Sequence, residues 1–192
     1  MPANVGKGLS LWLTPWLAAG FGPMRDCQIL KPMPVPRYVE MTKILLVQGA
    51  NMAYLGKREP EIYGTTTAAE LDQILQRHAR ECGFGLEIYY THAEGEAIGR
   101  IYRAADEGID GLLMNPAGFI HAGYALRDCL RAMRFPYVEV HMSNIDKRGF
   151  KSVTAEAAGG VIAGFGLHSY TMGLDALLAL IVEKNRAGGA KQ

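Results

Sequence analysis

From Lys43 onward the chain repeats one pattern: a short apolar run, then a stretch with apolar residues at helical spacing. The apolar runs are Lys43–Gly49, Leu86–Thr91, Gly111–Asn115, Tyr137–Met142 and Gly160–Phe165. Between them, Leu71, Ile74, Leu75, His78 and Cys82 mark one side of a helix over Ala69–Cys82. Thr65, Thr66 and Thr67 are candidate N-caps for it. Ile98, Ile101, Tyr102 and Ala105 mark a second helix, Leu126, Cys129, Leu130 and Met133 a third, and Leu174, Leu177, Leu178 and Ile181 a closing one. Pro116 is expected to end the third strand. Strands alternating with helices of roughly a dozen residues need crossover connections, so the strands run parallel and both sheet faces are covered. The expected fold is α/β: a flavodoxin-like, doubly wound, five-stranded parallel sheet with helices on both faces.

Residues 1–40 do not share this pattern. They hold six of the nine prolines and no sustained period. They read as an irregular or disordered N-terminal arm, or as the product of an upstream start with Met41 the working one. The domain is expected over 41–186, with 187–192 as a tail. The apolar segment Leu9–Phe21 is interrupted by Pro15 and is short of the ~18 residues of a membrane span. With 20 Lys and Arg against 19 Asp and Glu, no global field favours nucleic acid or an anionic membrane. Three cysteines without CxxC or Cys/His ligand spacing suggest neither a disulfide framework nor a zinc site, and a reducing, cytoplasmic setting. Cys82 and Cys129 read as small core hydrophobes.

In doubly wound folds, ligands bind beyond the carboxyl ends of the strands. That places the site at Gln48–Asn51, Thr91–Glu94, Asn115–His121 and His141–Asn144. The long excursion after the first strand carries Arg58 and Tyr63, and a guanidinium beside a phenol favours phenolate. A surface loop with a packed Tyr is the plainer reading of the same residues. The third strand ends at Asn115 and leads to His121. On the fourth, alternation puts Glu139 and His141 on one side, where a carboxylate can orient an imidazole and favour its proton-donating form. Taken singly, such a histidine can be merely structural, but three polar groups at three strand ends argue for a site. Dinucleotide, Walker, zincin and nucleophile-elbow motifs are missing.

The string GKREPEIYG (56–64) resembles the signature of type II 3-dehydroquinate dehydratases. The resemblance continues through NPAGFIHAGYALRD (115–128), EVHMSNI (139–145) and GVIAGFGLHSY (160–170). It implies a metal-free, cofactor-free hydro-lyase acting through an enolate, assembled as a dodecamer of four trimers and serving the shikimate pathway or quinate breakdown. It also implies residue roles. Tyr63 would be the base, with Arg58 stabilising its phenolate. Asn115 would hold the water that stabilises the enolate. His141 would be the acid, oriented by Glu139. Asn51, His121, Ser143, Asn144 and Ile145 would bind the cyclic hydroxy-ketone acid, and Asp128 would reach a neighbouring subunit's site.

The sequence departs from the family at the recognition residues. QGAN stands for the usual NGPN, Ile120 and Ala122 flank His121 in place of hydroxyl residues, and DKRGFKSV puts Lys151 near the usual substrate-binding arginine. Lysine does not reproduce a bidentate arginine contact. The competing expectations are a paralogue using the same acid and base on another cyclic hydroxy-ketone acid, or a catalytically silent binding or assembly protein on this scaffold.

Overall fold

The computed structural model describes residues 42–189. The expected arm, the Met41 start and the last three residues of the expected tail lie outside the described residues. Five strands, β1 (Lys43–Ala50), β2 (Gly85–Tyr90), β3 (Gly111–Ala117), β4 (Tyr137–His141) and β5 (Gly160–Ala163), form one sheet in the order β2-β1-β3-β4-β5, and every pair is parallel. This is the flavodoxin-like order. The helices are α1 (Pro60–Tyr63), α2 (Ala68–Cys82), α3 (Glu94–Asp106), α4 (Tyr124–Ala132) and α5 (His168–Gly189).

The central strands are buried on both sides, so their successive residues feed two cores. Ile44 and Leu46 of β1 join Leu113, Val138, Val140 and the apolar sides of α2 and α5 in one core. Leu45 and Val47 join Leu112, Met114, Tyr137 and the apolar sides of α3 and α4 in the other. Alternation in β4 therefore commits Tyr137, Glu139 and His141 to the α3–α4 side. Gly173 lets α5 lie close to the sheet, since a Cβ there would stand 2.5 Å from Val140 Cγ1.

Helix α2 begins at Thr67, whose side chain accepts from the Glu70 amide while Glu70 reaches back to the Thr67 amide. On α3 the inward residues are Ala97, Arg100, Ile101 and Ala104, while Tyr102 and Ala105 face solvent. Arginine is rarely internal, yet Arg100 is buried. Here ion pairs with Glu87 and Glu107 hold it. Pro116 does not end β3. Leu112 N–H donates to Pro136 O, so the amides of residues 112, 114 and 116 point toward β4. Pairing with β4 stops at Met114, so the missing N–H of Pro116 costs no ladder bond. Helix α5 runs to Gly189, past the expected boundary at residue 186. Among the described residues no helix is long and apolar enough to cross a membrane.

Candidate active site

The carboxyl ends of β1, β3 and β4 open into a cavity of about 280 Å³. It takes in Asn51, Arg58 and Tyr63 from the β1 side, Asn115 and His121 from the β3 side, and His141, Ser143, Ile145 and Arg148 from the β4 side. No carboxylate lines it, so its two guanidiniums favour an anionic ligand. Three backbone positions around it sit at positive φ without being glycine: Asn51 (78°), Glu59 (42°) and Ala117 (47°). Such conformations cost ~1–3 kcal/mol each and gather at functional loops. At the base of the loops, a Cβ on Gly49 would stand 2.2 Å from Pro116 O, so only glycine lets the two strand ends meet.

The β4 arm is a closed hydrogen-bond set. Glu139 is fully buried and accepts from Tyr137 Oη at 2.5 Å, Thr154 Oγ1 at 2.7 Å and His141 Nε2 at 2.7 Å. Burial alone pushes this carboxyl up. The donors His141, Ser152, Tyr137 and Thr154 together outweigh it and hold the group below its ordinary value. With Nε2 engaged by Glu139, Nδ1 is the ring nitrogen His141 has left for the cavity. Tyr137 is fully enclosed, and burial beside a carboxylate pushes its phenol well up, so it stays a donor.

The β3 arm depends on a second buried chain. Asn115 Oδ1 accepts from the Ala117 amide at 3.1 Å, and Nδ2 donates to Tyr170 Oη at 2.8 Å. Tyr170 in turn donates to Gln48 Oε1 at 2.8 Å. Burial raises the Tyr170 phenol, which keeps its proton for Gln48. The chain fixes which way the Asn115 amide faces.

The loop arm is built differently. The one-turn helix α1 carries Tyr63, whose hydroxyl accepts from Arg148 Nη1 at 2.9 Å; the same nitrogen donates to Ser143 Oγ at 3.0 Å. The Arg148 guanidinium also lies over the Tyr63 and Phe150 rings, at 5.7 and 5.1 Å. Arg58 lines the same cavity, but its Nε donates to Glu59 Oε2 at 2.8 Å and half of its side chain is exposed. The cation in contact with Tyr63 is thus Arg148, not the expected Arg58.

Other expected positions separate. Lys151 is exposed and outside the cavity lining, and Arg148 supplies the cation on this segment. Asn144 is exposed and its Oδ1 accepts from the Lys147 amide at 3.0 Å, closing the turn that presents Ser143 and Ile145. Asp128 is exposed on α4 beside Arg127. His121 stands edge-on to Phe150, with ring centroids 5.3 Å apart. Thr91–Glu94 does not line the cavity but supports it. His92 Nδ1 accepts from the Asn51 amide at 3.0 Å, and Glu94 accepts from Leu126 N–H at 2.9 Å. Tyr137, Thr154, Tyr170 and Arg148 went unread as site residues in sequence, and His92 was included only within Thr91–Glu94. Only Tyr137 left a local signal, two residues before Glu139 on the same side of the strand.

Residues 42–178 match the family model described as dehydroquinase class II. The chain is 45% identical over 141 residues to a 3-dehydroquinate dehydratase of Ectopseudomonas mendocina, covering 72% of this chain and 95% of that one. It is 43% identical over 148 residues to the corresponding protein of Thioalkalivibrio sulfidiphilus, covering 76% and 100%. The crystal structure of a type II dehydroquinase from Propionibacterium acnes matches with a TM-score of 0.67 at 38% identity, over 73% of this chain and 97% of that one. With the sheet order, the cavity and these matches in agreement, the chain belongs to the class II dehydroquinase family.

Proposed function

We propose that this protein dehydrates 3-dehydroquinate to 3-dehydroshikimate in the cavity at the carboxyl ends of β1, β3 and β4. The observation that carries the reading is one cavity holding a phenol oxygen bonded to a guanidinium and an imidazole backed by a buried carboxylate. The phenol oxygen, with a cation beside it, is placed to take a proton, and the imidazole, held by a carboxylate, is placed to give one. Tyr63 takes the proton from the carbon beside the ketone, leaving an enolate. Asn115, fixed through Tyr170, holds a donor toward the enolate oxygen, directly or through water. The enolate then collapses, the carbon–hydroxyl bond breaks, and His141 gives that oxygen a proton so that it departs as water. Arg58, already at the cavity wall, adds a second cation for the anionic ligand. Arg148, Ser143, His121 and the Asn51 region bind the substrate's hydroxyls and carboxylate.

Assembly as a dodecamer of trimers belongs to the same reading, with Asp128, exposed on α4, offered to a neighbouring subunit. Light scattering on the purified chain tests it. The cytoplasm is the proposed location.

A second reading keeps the chemistry and changes the substrate. Ile120 contributes an apolar wall where the family has hydroxyls near its histidine, and Lys151 lies outside the cavity. The deciding experiment mixes purified protein with 3-dehydroquinate and follows the ultraviolet absorbance of the conjugated enone. Turnover supports the first reading. Neither turnover nor binding favours a different cyclic hydroxy-ketone acid, and binding without turnover points to a silent binding protein.

A further inference from the structure

Away from the cavity, α2 and α5 lie side by side on one face of the sheet, and their facing sides bring three ligating groups together. His78 and Cys82 are four residues apart on α2, so they stand one above the other on one side of the helix. Asp175 of α5 meets them. Its Oδ1 is 2.9 Å from His78 Nε2, and Cys82 Sγ is 3.8 Å from that same nitrogen. One ligand atom from each residue lies within 4.8 Å of the other two. Around tetrahedral zinc, with Zn–S near 2.3 Å and Zn–N near 2.0–2.1 Å, neighbouring ligand atoms stand roughly 3.3–3.6 Å apart. The Cys–His separation is already close to that. The His–Asp pair has to open by about half an ångström, and Asp175, 61% exposed, is free to do so. The His78 ring is braced edge-on by Phe84.

We propose that His78, Cys82 and Asp175 form a binding site for a borderline-soft divalent cation, zinc foremost, with three protein ligands and a fourth position open to water. The donor set selects the metal: a thiolate and an imidazole suit zinc or cobalt and not magnesium or calcium. Without metal, burial and the carboxylates of Asp175 and Glu81 keep the Cys82 thiol protonated. A bound dication reverses that local field. On binding, a metal–sulfur bond forms and the thiol proton leaves to solvent; the Nε2 proton that Asp175 accepts without metal is also given up, so that His78 offers the Nε2 lone pair with its remaining proton on Nδ1. The ion would then pin the end of α2 to α5. Cys82 lies three residues before β2, whose first residue is tied to Thr42 at the amino edge of the sheet. The site is therefore at the end of the sheet opposite the cavity, and its expected effect is on stability, not turnover.

The test uses the full chain stripped of metal by chelator and dialysis, titrated with cobalt(II) and then with zinc(II). One equivalent of cobalt should produce visible d–d bands and a near-ultraviolet thiolate-to-cobalt charge-transfer band, both removed by zinc, and zinc should raise the melting temperature. Cys82→Ser should abolish the charge-transfer band, Cys129→Ser and Cys27→Ser should leave it, and Asp175→Asn should weaken binding by about tenfold or more. No charge-transfer band at one equivalent, or a band that survives Cys82→Ser, overturns the proposal. Should Cys82→Ser fail to fold, the exposed Asp175→Asn variant decides, because unchanged affinity there also overturns it.

Discussion

The two halves of the proposed catalytic apparatus are built on opposite principles. The acid half, Tyr137–Glu139–His141–Thr154, is buried, sits mostly on one strand, and has every hydrogen-bonding atom of Glu139 engaged. The base half is a loop of Asn51–Gly64 with two non-glycine residues at positive φ, a one-turn helix and a half-exposed Arg58. A sheet interior sets a proton donor in place before any ligand arrives, whereas a loop can admit the ligand and then close on it. The fold thus buries the imidazole–carboxylate pair in the sheet and carries Tyr63 on a one-turn helix in a loop at the cavity wall.

If that contrast holds, loop variants lose activity alone, and strand variants lose activity and stability together. Tyr63→Phe should lower kcat by roughly 10³–10⁴-fold, the upper range for losing a general base, with an unchanged thermal melt. Arg58→Ala should lower kcat by roughly 10²–10³-fold, as for loss of one charge-stabilising donor, again with an unchanged melt. A fall in melting temperature for either would break the comparison. Glu139→Gln should lower kcat by roughly 10²-fold and also cost about 3 kcal/mol, because the buried donors lose a shared anion. Chemical denaturation and steady-state kinetics on one preparation check both. Tyr170→Phe should cost about 1–3 kcal/mol by leaving Asn115 Nδ2 and Gln48 Oε1 unpaired in the core. Its kcat should fall more than its KM changes, since Asn115 is assigned to the enolate and not to ground-state binding.

The smallest effect is on acid stability. The Glu139 carboxyl is held below its ordinary value in the folded protein. Its contribution is therefore complete above the usual carboxylate range near ~4.3 and is lost as pH falls through the lower folded value. Urea midpoints of wild type and Glu139→Gln should converge below that range and stay separated above it. Midpoints that converge instead between pH 6 and 8 would refute this account.

Much of the molecule was legible as pattern. The strand and helix order, a threonine cap among Thr65–Thr67 and the Glu139–His141 alternation follow from spacing along the chain, and the carboxyl-end location of the cavity follows from the fold rule. The misreadings share a cause. Arg100 faces inward because Glu87 of β2 pairs with it beside Glu107 at the end of its own helix, and Pro116 stays in β3 because pairing with β4 has already stopped at Met114. Arg148 reaches Tyr63 across 85 residues of chain, and Tyr170 reaches Gln48 across 122. His78 and Cys82 were read as core-facing positions, since the Asp175 that makes them a ligand set lies 97 residues from His78 on another helix.

By itself the sequence determined the parallel α/β fold, because period and alternation report which side of each element leaves water, and that is a local property. It also determined that Glu139 and His141 meet, because both are on one strand. Only the tertiary structure decided which guanidinium touches Tyr63, what fixes Asn115, and where His78, Cys82 and Asp175 come together between α2 and α5. Those contacts join side chains far apart in sequence, and the hydrogen-bonding and electrostatic free energy that selects them depends on distances of a few ångströms that the order of residues does not encode.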